Sequence, residues 1–167
     1  VDRGLVLNAS GAADTTLSAL VTGSGNITFA GDMTIDGTAD NTYTGTTTVS
    51  GGTVTLAKRN AFGETNYLNV SGDGHVNFNA LSTRIGRIQT SEAGALTGSG
   101  RITLFGQGRS NITGANTGLN AAISMLSGHT TVINDANGLG TGGITLNDGS
   151  TLILNYTNQG VAFDNTL

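Results

Sequence analysis

Gly23-Ser24-Gly25-Asn26-Ile27-Thr28-Phe29 recurs as Gly98-Ser99-Gly100-Arg101-Ile102-Thr103-Leu104, at an offset of roughly 76 residues that marks an internal repeat. Ser50-Gly51-Gly52-Thr53 through Asn60-Ala61-Phe62-Gly63 lies without a gap over Ser127-Gly128-His129-Thr130 through Asn137-Gly138-Leu139-Gly140. Leu68-Asn69-Val70 and Val76-Asn77-Phe78 then return as Ile144-Thr145-Leu146 and Leu152-Ile153-Leu154. The recurring content is a pattern of apolar, small and polar positions with glycines, and no catalytic group recurs with it. A stacked repeat protein is written this way, because each unit buries its apolar face only against its neighbours.

Within each copy apolar residues come in pairs with one residue between: Leu5 and Leu7, Ile27 and Phe29, Val54 and Leu56, Val76 and Phe78. A two-residue period puts both side chains on one face of a short strand. A longer interval of about 22 residues links Leu5 to Ile27 to Val49, Leu7 to Phe29, Leu56 to Phe78, and Val132 to Leu154. Two or three short strands inside such an interval predict one coil of a parallel β-solenoid, all-β, of roughly six to eight coils stacked at about 4.8 Å. Leu56, Phe78, Ile133 and Leu154 are expected to point inward and be buried. No 3.6-residue amphipathic stretch persists, and glycine interrupts almost every window.

The offset near 76 is not a whole number of such coils. Either each copy holds three coils averaging about 25 residues, or two regular coils and one longer coil with a loop. The second reading is favoured. Pairing fades over residues 79–97, where Arg84, Arg87 and Glu92 gather, and residues 111–122 are a softer candidate in the second copy. One solenoid segment over 1–167 is expected, with approximate repeats at 15–90 and 91–167, as a piece of a longer protein.

Composition agrees with strands. Gly, Thr, Asn and Ser number 27, 27, 17 and 12, so β-branched and turn-forming residues dominate. Proline, cysteine and tryptophan are absent, and Lys58 is the sole lysine. A net charge of −4 argues against nucleic acid or an anionic membrane as the main partner. No apolar run is long enough for a membrane helix, and no signal peptide is visible.

Asn41-Thr42-Tyr43-Thr44-Gly45-Thr46-Thr47-Thr48-Val49-Ser50-Gly51-Gly52-Thr53-Val54-Thr55-Leu56, followed by Asn60-Ala61-Phe62-Gly63, resembles the passenger repeat of bacterial autotransporters of the AIDA-like adhesin family. The resemblance is best over residues 37–80. In the second copy Gly118-Leu119-Asn120-Ala121 replaces the tyrosine segment and His129 the second glycine. It implies a right-handed parallel β-helix, exported through the outer membrane by a C-terminal translocator barrel outside this chain and displayed on the bacterial surface. It implies adhesion to a host-cell or matrix surface, or self-association with another copy, without a cofactor.

Other motifs read more plainly. Gly138-Leu139-Gly140-Thr141-Gly142-Gly143 matches the dinucleotide pattern GxGxxG, but Ile144-Thr145-Leu146 after it reads as a strand, where a Rossmann site needs a helix N-terminus. His75 and His129 are the only histidines, and no nucleophile elbow or cysteine accompanies them. Both read as polar strand positions. Asp32, Asp36 and Asp40, and Asn134-Asp135-Ala136-Asn137-Gly138, approach calcium-loop spacing without completing it, so turn capping is the expected role and no metal is assigned. Five Asn-x-Ser/Thr sequons, at Asn8, Asn26, Asn69, Asn111 and Asn155, follow from composition alone. Lys58 with Arg59 reads as a solvated rim. Phe29, Phe62, Phe78, Phe105 and Phe163 read as mostly core, and Tyr43 and Tyr67 as turn-flanking and open to solvent.

The leading expectation is therefore a non-enzymatic extracellular binding segment. Its expected interaction surface is a threonine stripe of Thr46, Thr48, Thr53 and Thr55, with Arg84 and Arg87 as the concentrated positive charge. The alternatives are a passive stalk carrying an active domain elsewhere and a polysaccharide-acting β-helix enzyme. The last needs convergent carboxylates, bases or a metal, in which this chain is poor.

Overall fold

A computed structural model describes residues 3–9, 15–58, 60–63, 67–80, 89–90, 94, 96–106 and 109–156. These residues form sixteen strands and no helix, with strands numbered in chain order. One sheet holds β1 (Leu5–Ala9), β3 (Ile27–Gly31), β5 (Thr47–Gly51), β7 (Leu68–Val70) and β10 (Leu96–Thr97). A second, seven-stranded, holds β2 (Thr15–Leu17), β4 (Met33–Ile35), β6 (Thr53–Leu56), β8 (His75–Ala80), β11 (Arg101–Gly106), β13 (Ala122–Met125) and β15 (Ile144–Leu146). The third holds β9 (Gln89–Thr90), β12 (Arg109–Ile112), β14 (Thr130–Ile133) and β16 (Thr151–Leu154). Every pairing among them is parallel, and each strand meets its counterpart one coil away. The chain is a β-solenoid of about six turns.

Inward positions stack in register. Met33, Val54, Val76, Ile102, Ile123 and Ile144 form one row of the seven-stranded sheet, and Ile35, Leu56, Phe78, Leu104, Met125 and Leu146 the next. Period-two alternation makes these rows, since every second side chain of a strand faces the same side. Phe62 joins them from a corner, its ring centroid 5.7 Å from Phe29 and 6.4 Å from Phe78. Leu56, Phe78 and Ile133 are buried as expected.

Leu154 is not. It stacks on Ile133, yet it is 50% exposed, and β16 pairs only with β14 among the described strands. Phe105 is exposed as well, since alternation along β11 turns it outward beside inward Leu104. Tyr43, expected at the surface, is fully buried with its hydroxyl 2.7 Å from Thr47 Oγ1, and Thr47 is buried too. Tyr67 is open as expected, and Phe163 lies outside the described residues.

The 22-residue interval holds for Leu5 with Ile27, Leu7 with Phe29, and Leu56 with Phe78. It slips elsewhere. Ile27 meets Thr47, leaving Val49 to Phe29, and Val132 meets Ile153, leaving Leu154 to Ile133. Leu68 pairs with Leu96 and His75 with Arg101, so the long coil is the one containing residues 79–97. Residues 111–122 carry no comparable insertion: Arg101 pairs with Ala122 and Arg109 with Thr130 at ordinary coil length.

The long repeat has a geometric meaning. Ile27 leads through Thr47 and Leu68 to Leu96 within one sheet, and Ile102 lies one sheet further on. The repeat therefore advances three coils and one face. β3 and its copy β11 belong to different sheets, as do β7 and β15, and β8 and β16. The same strand–glycine–strand sentence serves at two different corners of the coil.

Candidate functional site: outward polar ladders

Outward positions of the seven-stranded sheet stack as regularly as inward ones. Thr16, Thr34, Thr55, Asn77, Thr103, Ser124 and Thr145 are register partners in sequence, one per strand, from one end of the sheet to the other. Seven positions at about 4.8 Å make a ladder about 29 Å long. Every rung carries a hydroxyl or an amide. A shorter ladder on the first sheet runs Val6, Thr28, Thr48, Asn69 and Thr97. Most rungs are half-buried, because each side chain is flanked by those of the coils above and below.

Thr46, Thr48, Thr53 and Thr55 are all half-buried, but they do not form one stripe. Gly51 and Gly52 turn the chain between β5 and β6, so Thr48 belongs to the first sheet's ladder and Thr55 to the second's. Thr46 sits at the corner before β5, its backbone N–H donating to Asn26 Oδ1 at 2.9 Å. Thr53 begins a mixed row with His75, Arg101 and Ala122. Arg84 and Arg87 lie outside the described residues.

The two histidines differ. His75 faces outward, with Nε2 2.8 Å from Thr103 Oγ1. Burial pushes its pKa down, and the Arg101 guanidinium adds to this. His129 is fully buried, with Nε2 2.9 Å from Ser110 Oγ, and Ser110 is fully buried too. Burial lowers its pKa, opposed by the backbone of Phe105. A serine hydroxyl beside an imidazole is the geometry of an activated nucleophile. Here both groups are sealed from solvent, and no acidic side chain among the described residues orients the ring.

The acidic residues are turn and corner partners. Asp32 Oδ1 accepts from the Thr53 N–H of the next coil at 2.7 Å, Asp36 Oδ1 from Gly37 N–H at 2.6 Å, and Asp40 Oδ2 from Asn60 Nδ2 at 3.3 Å. Asp135 Oδ1 accepts from Asn137 N–H at 2.8 Å, an Asx turn. Among the described residues no three acidic, histidine or cysteine side chains come together as a metal site. The GxGxxG glycines form a corner over Leu119 and Ala121, and β15 follows.

Sequence reasoning missed the buried polar groups. Lys58, expected on a solvated rim, is buried: Nζ donates to Ala39 O at 2.9 Å and to Asn41 Oδ1 at 3.0 Å. Burial lowers its pKa, and the Asp40 and Asp36 carboxylates oppose the shift. Sequence reasoning also missed an amide ladder outside the core, Asn111 to Asn134 to Asn155, which crosses three coils at 3.0 and 2.8 Å. Spacing near one coil between these asparagines was the available signal. Frequent asparagine elsewhere obscured it.

No protein-family model matches the chain, and no solved structure matches it. It is 30% identical, over an alignment of 166 residues, to the uncharacterized protein YuaQ of Escherichia coli (strain K12). The alignment covers 84% of this chain and 12% of YuaQ, so the chain spans a small part of that relative's length.

Proposed function

We propose that this chain is a non-enzymatic segment of the exported passenger of a bacterial autotransporter, displayed at the cell surface, and that it mediates adhesion or self-association. One observation carries the reading: the unbroken outward ladder from Thr16 to Thr145. Such a face offers many shallow hydrogen-bonding positions. Each contact is weak, but many parallel molecules on one cell act together. The full-length protein would carry the translocator barrel at its C-terminus.

The test compares bacteria displaying the passenger with bacteria displaying it without residues 15–156. Loss of clumping and of attachment to host cells or matrix on deletion supports the proposal. Unchanged clumping and attachment assign the segment to a passive stalk, and turnover of polysaccharide by the purified segment would make it an enzyme.

A further inference from the structure

Lys58 and Asn41 bring an amine and an amide together beneath the surface of a coil corner. Lys58, the sole lysine of the chain, is 4% exposed and Asn41 1%. Lys58 Nζ donates to Asn41 Oδ1 at 3.0 Å and to Ala39 O at 2.9 Å. A carbonyl bond is about 1.2 Å long, so Nζ stands about 3–4 Å from Asn41 Cγ, near the contact distance of reacting atoms. The amide is fixed from both sides: Oδ1 also accepts from Val21 N–H at 3.0 Å, and Nδ2 donates to Ala61 O at 2.7 Å. Tyr43, two residues after Asn41, and Ala61, three after Lys58, are buried with them. The second copy of the repeat supplies an internal comparison. Buried Asn116 makes the same two inter-coil bonds, and its amide also donates to Gly114 O at 3.2 Å. In the ungapped alignment Asp135 stands where Lys58 does, and its carboxylate accepts from Asn137 N–H. Tying coils through an asparagine therefore needs no lysine, and burying an ammonium is unfavourable.

We propose that Lys58 and Asn41 join in an intramolecular isopeptide bond that links neighbouring coils covalently. The Lys58 ammonium first gives a proton to Asp40, which precedes Asn41 in the chain and whose carboxylate acts on that ammonium electrostatically. Burial favours the neutral amine that results. The amine attacks Asn41 Cγ, and Val21 N–H meets the negative charge that develops on Oδ1. One Nζ proton passes to Nδ2, the Cγ–Nδ2 bond breaks, and ammonia leaves, taking the proton from Asp40 to depart as ammonium. One carbon–nitrogen bond replaces another, so the step needs no oxidant, reductant or cofactor. Proximity and exclusion of water are what the fold contributes. The linked amide keeps its oxygen as an acceptor for Val21 and retains one N–H to donate.

The intact mass of the purified chain tests this directly. The expected result is a mass lower than that of the sequence by one ammonia. Trypsin then leaves the unfolded chain uncut at Lys58, and chymotrypsin, which cuts between the two residues, releases a branched peptide joining Asn41 to Lys58. The full sequence mass, with Lys58 open to trypsin after unfolding, overturns the proposal. A succinimide at Asn137-Gly138 loses the same ammonia, so Lys58→Arg is the control. It is expected to restore the full mass, and a deficit that persists there contradicts the link. Asp40→Asn is expected to keep the full mass with the circular dichroism spectrum unchanged. Loss of ammonia at the wild-type level in that variant overturns the role of Asp40 as proton carrier.

Discussion

Asn41 and Asn116 make the same pair of inter-coil bonds in different coils. Each buried amide accepts through Oδ1 from a backbone N–H twenty residues earlier, Val21 at 3.0 Å and Leu96 at 2.9 Å. Each donates through Nδ2 to a carbonyl of the following coil, Ala61 at 2.7 Å and Gly138 at 2.8 Å. One side chain thus ties three successive coils where strand ladders do not reach. Removing it leaves a donor and an acceptor without partners in the interior, at about 1–3 kcal/mol for each group left unsatisfied. Asn41→Ala and Asn116→Ala are each expected to lower unfolding free energy by at least that much in urea titration. Wild-type stability in both would show that water replaces the amides.

Core and end-rung leucines separate by burial. Leu56→Ala and Phe78→Ala, both deeply buried, are expected to cost about 2–5 kcal/mol. Leu154→Ala, at a half-open position, is expected to stay within about 1 kcal/mol of wild type. Equal losses at all three, measured by denaturant unfolding, would contradict the exposure of Leu154.

The double glycine is asymmetric. Gly52 has φ of 66°, and a Cβ there would run into the Gly31 backbone of the coil below, whereas a Cβ on Gly51 meets nothing within 4 Å. Gly52→Ala is expected to destabilise by more than about 1 kcal/mol, combining left-handed backbone strain with the clash. Gly51→Ala is expected to be tolerated. Thermal melts of the two variants in the reverse order would contradict the corner geometry.

His75 and His129 make stability pH-dependent. Both have pKa values pushed below the ordinary 6.5 by burial, so below 6.5 the unfolded chain binds more protons than the folded one. Their effect is absent above 6.5, and stability falls as pH drops from 6.5 through the depressed folded values. His129→Gln is expected to flatten that decline in urea unfolding curves measured across the range. A decline of the same size in His129→Gln and His75→Gln alike would assign acid sensitivity to other groups.

The strands were legible because their information is local and periodic: Leu56 and Phe78 announce an inward face by spacing, and a coil interval by repetition. The corners were not. The ungapped alignment sets His129 over Gly52, yet positive φ falls on Gly52 in one copy and on Gly128 in the other, so the turn shifts by a residue and His129 goes into the core. Lys58 and Asn41 were opaque for a related reason. Lys58 and Asn41 bond groups about a coil away in sequence, and no short-range pattern encodes such a partner. The ladder of the second sheet is half-visible in the threonine spacing: Thr55 lies on it, but Thr53 falls in the neighbouring row with His75, and Gly51 and Gly52 leave Thr48 on another sheet.

The most direct test of the proposed role charges the ladder without touching the core. Thr55→Glu with Thr103→Glu places like charges on the outward face of β6 and β11, on either side of Asn77. Cells displaying this variant are expected to lose most clumping and attachment while the purified segment keeps its circular dichroism spectrum and cooperative melt. Undiminished clumping and attachment with the fold intact would contradict a role for this face.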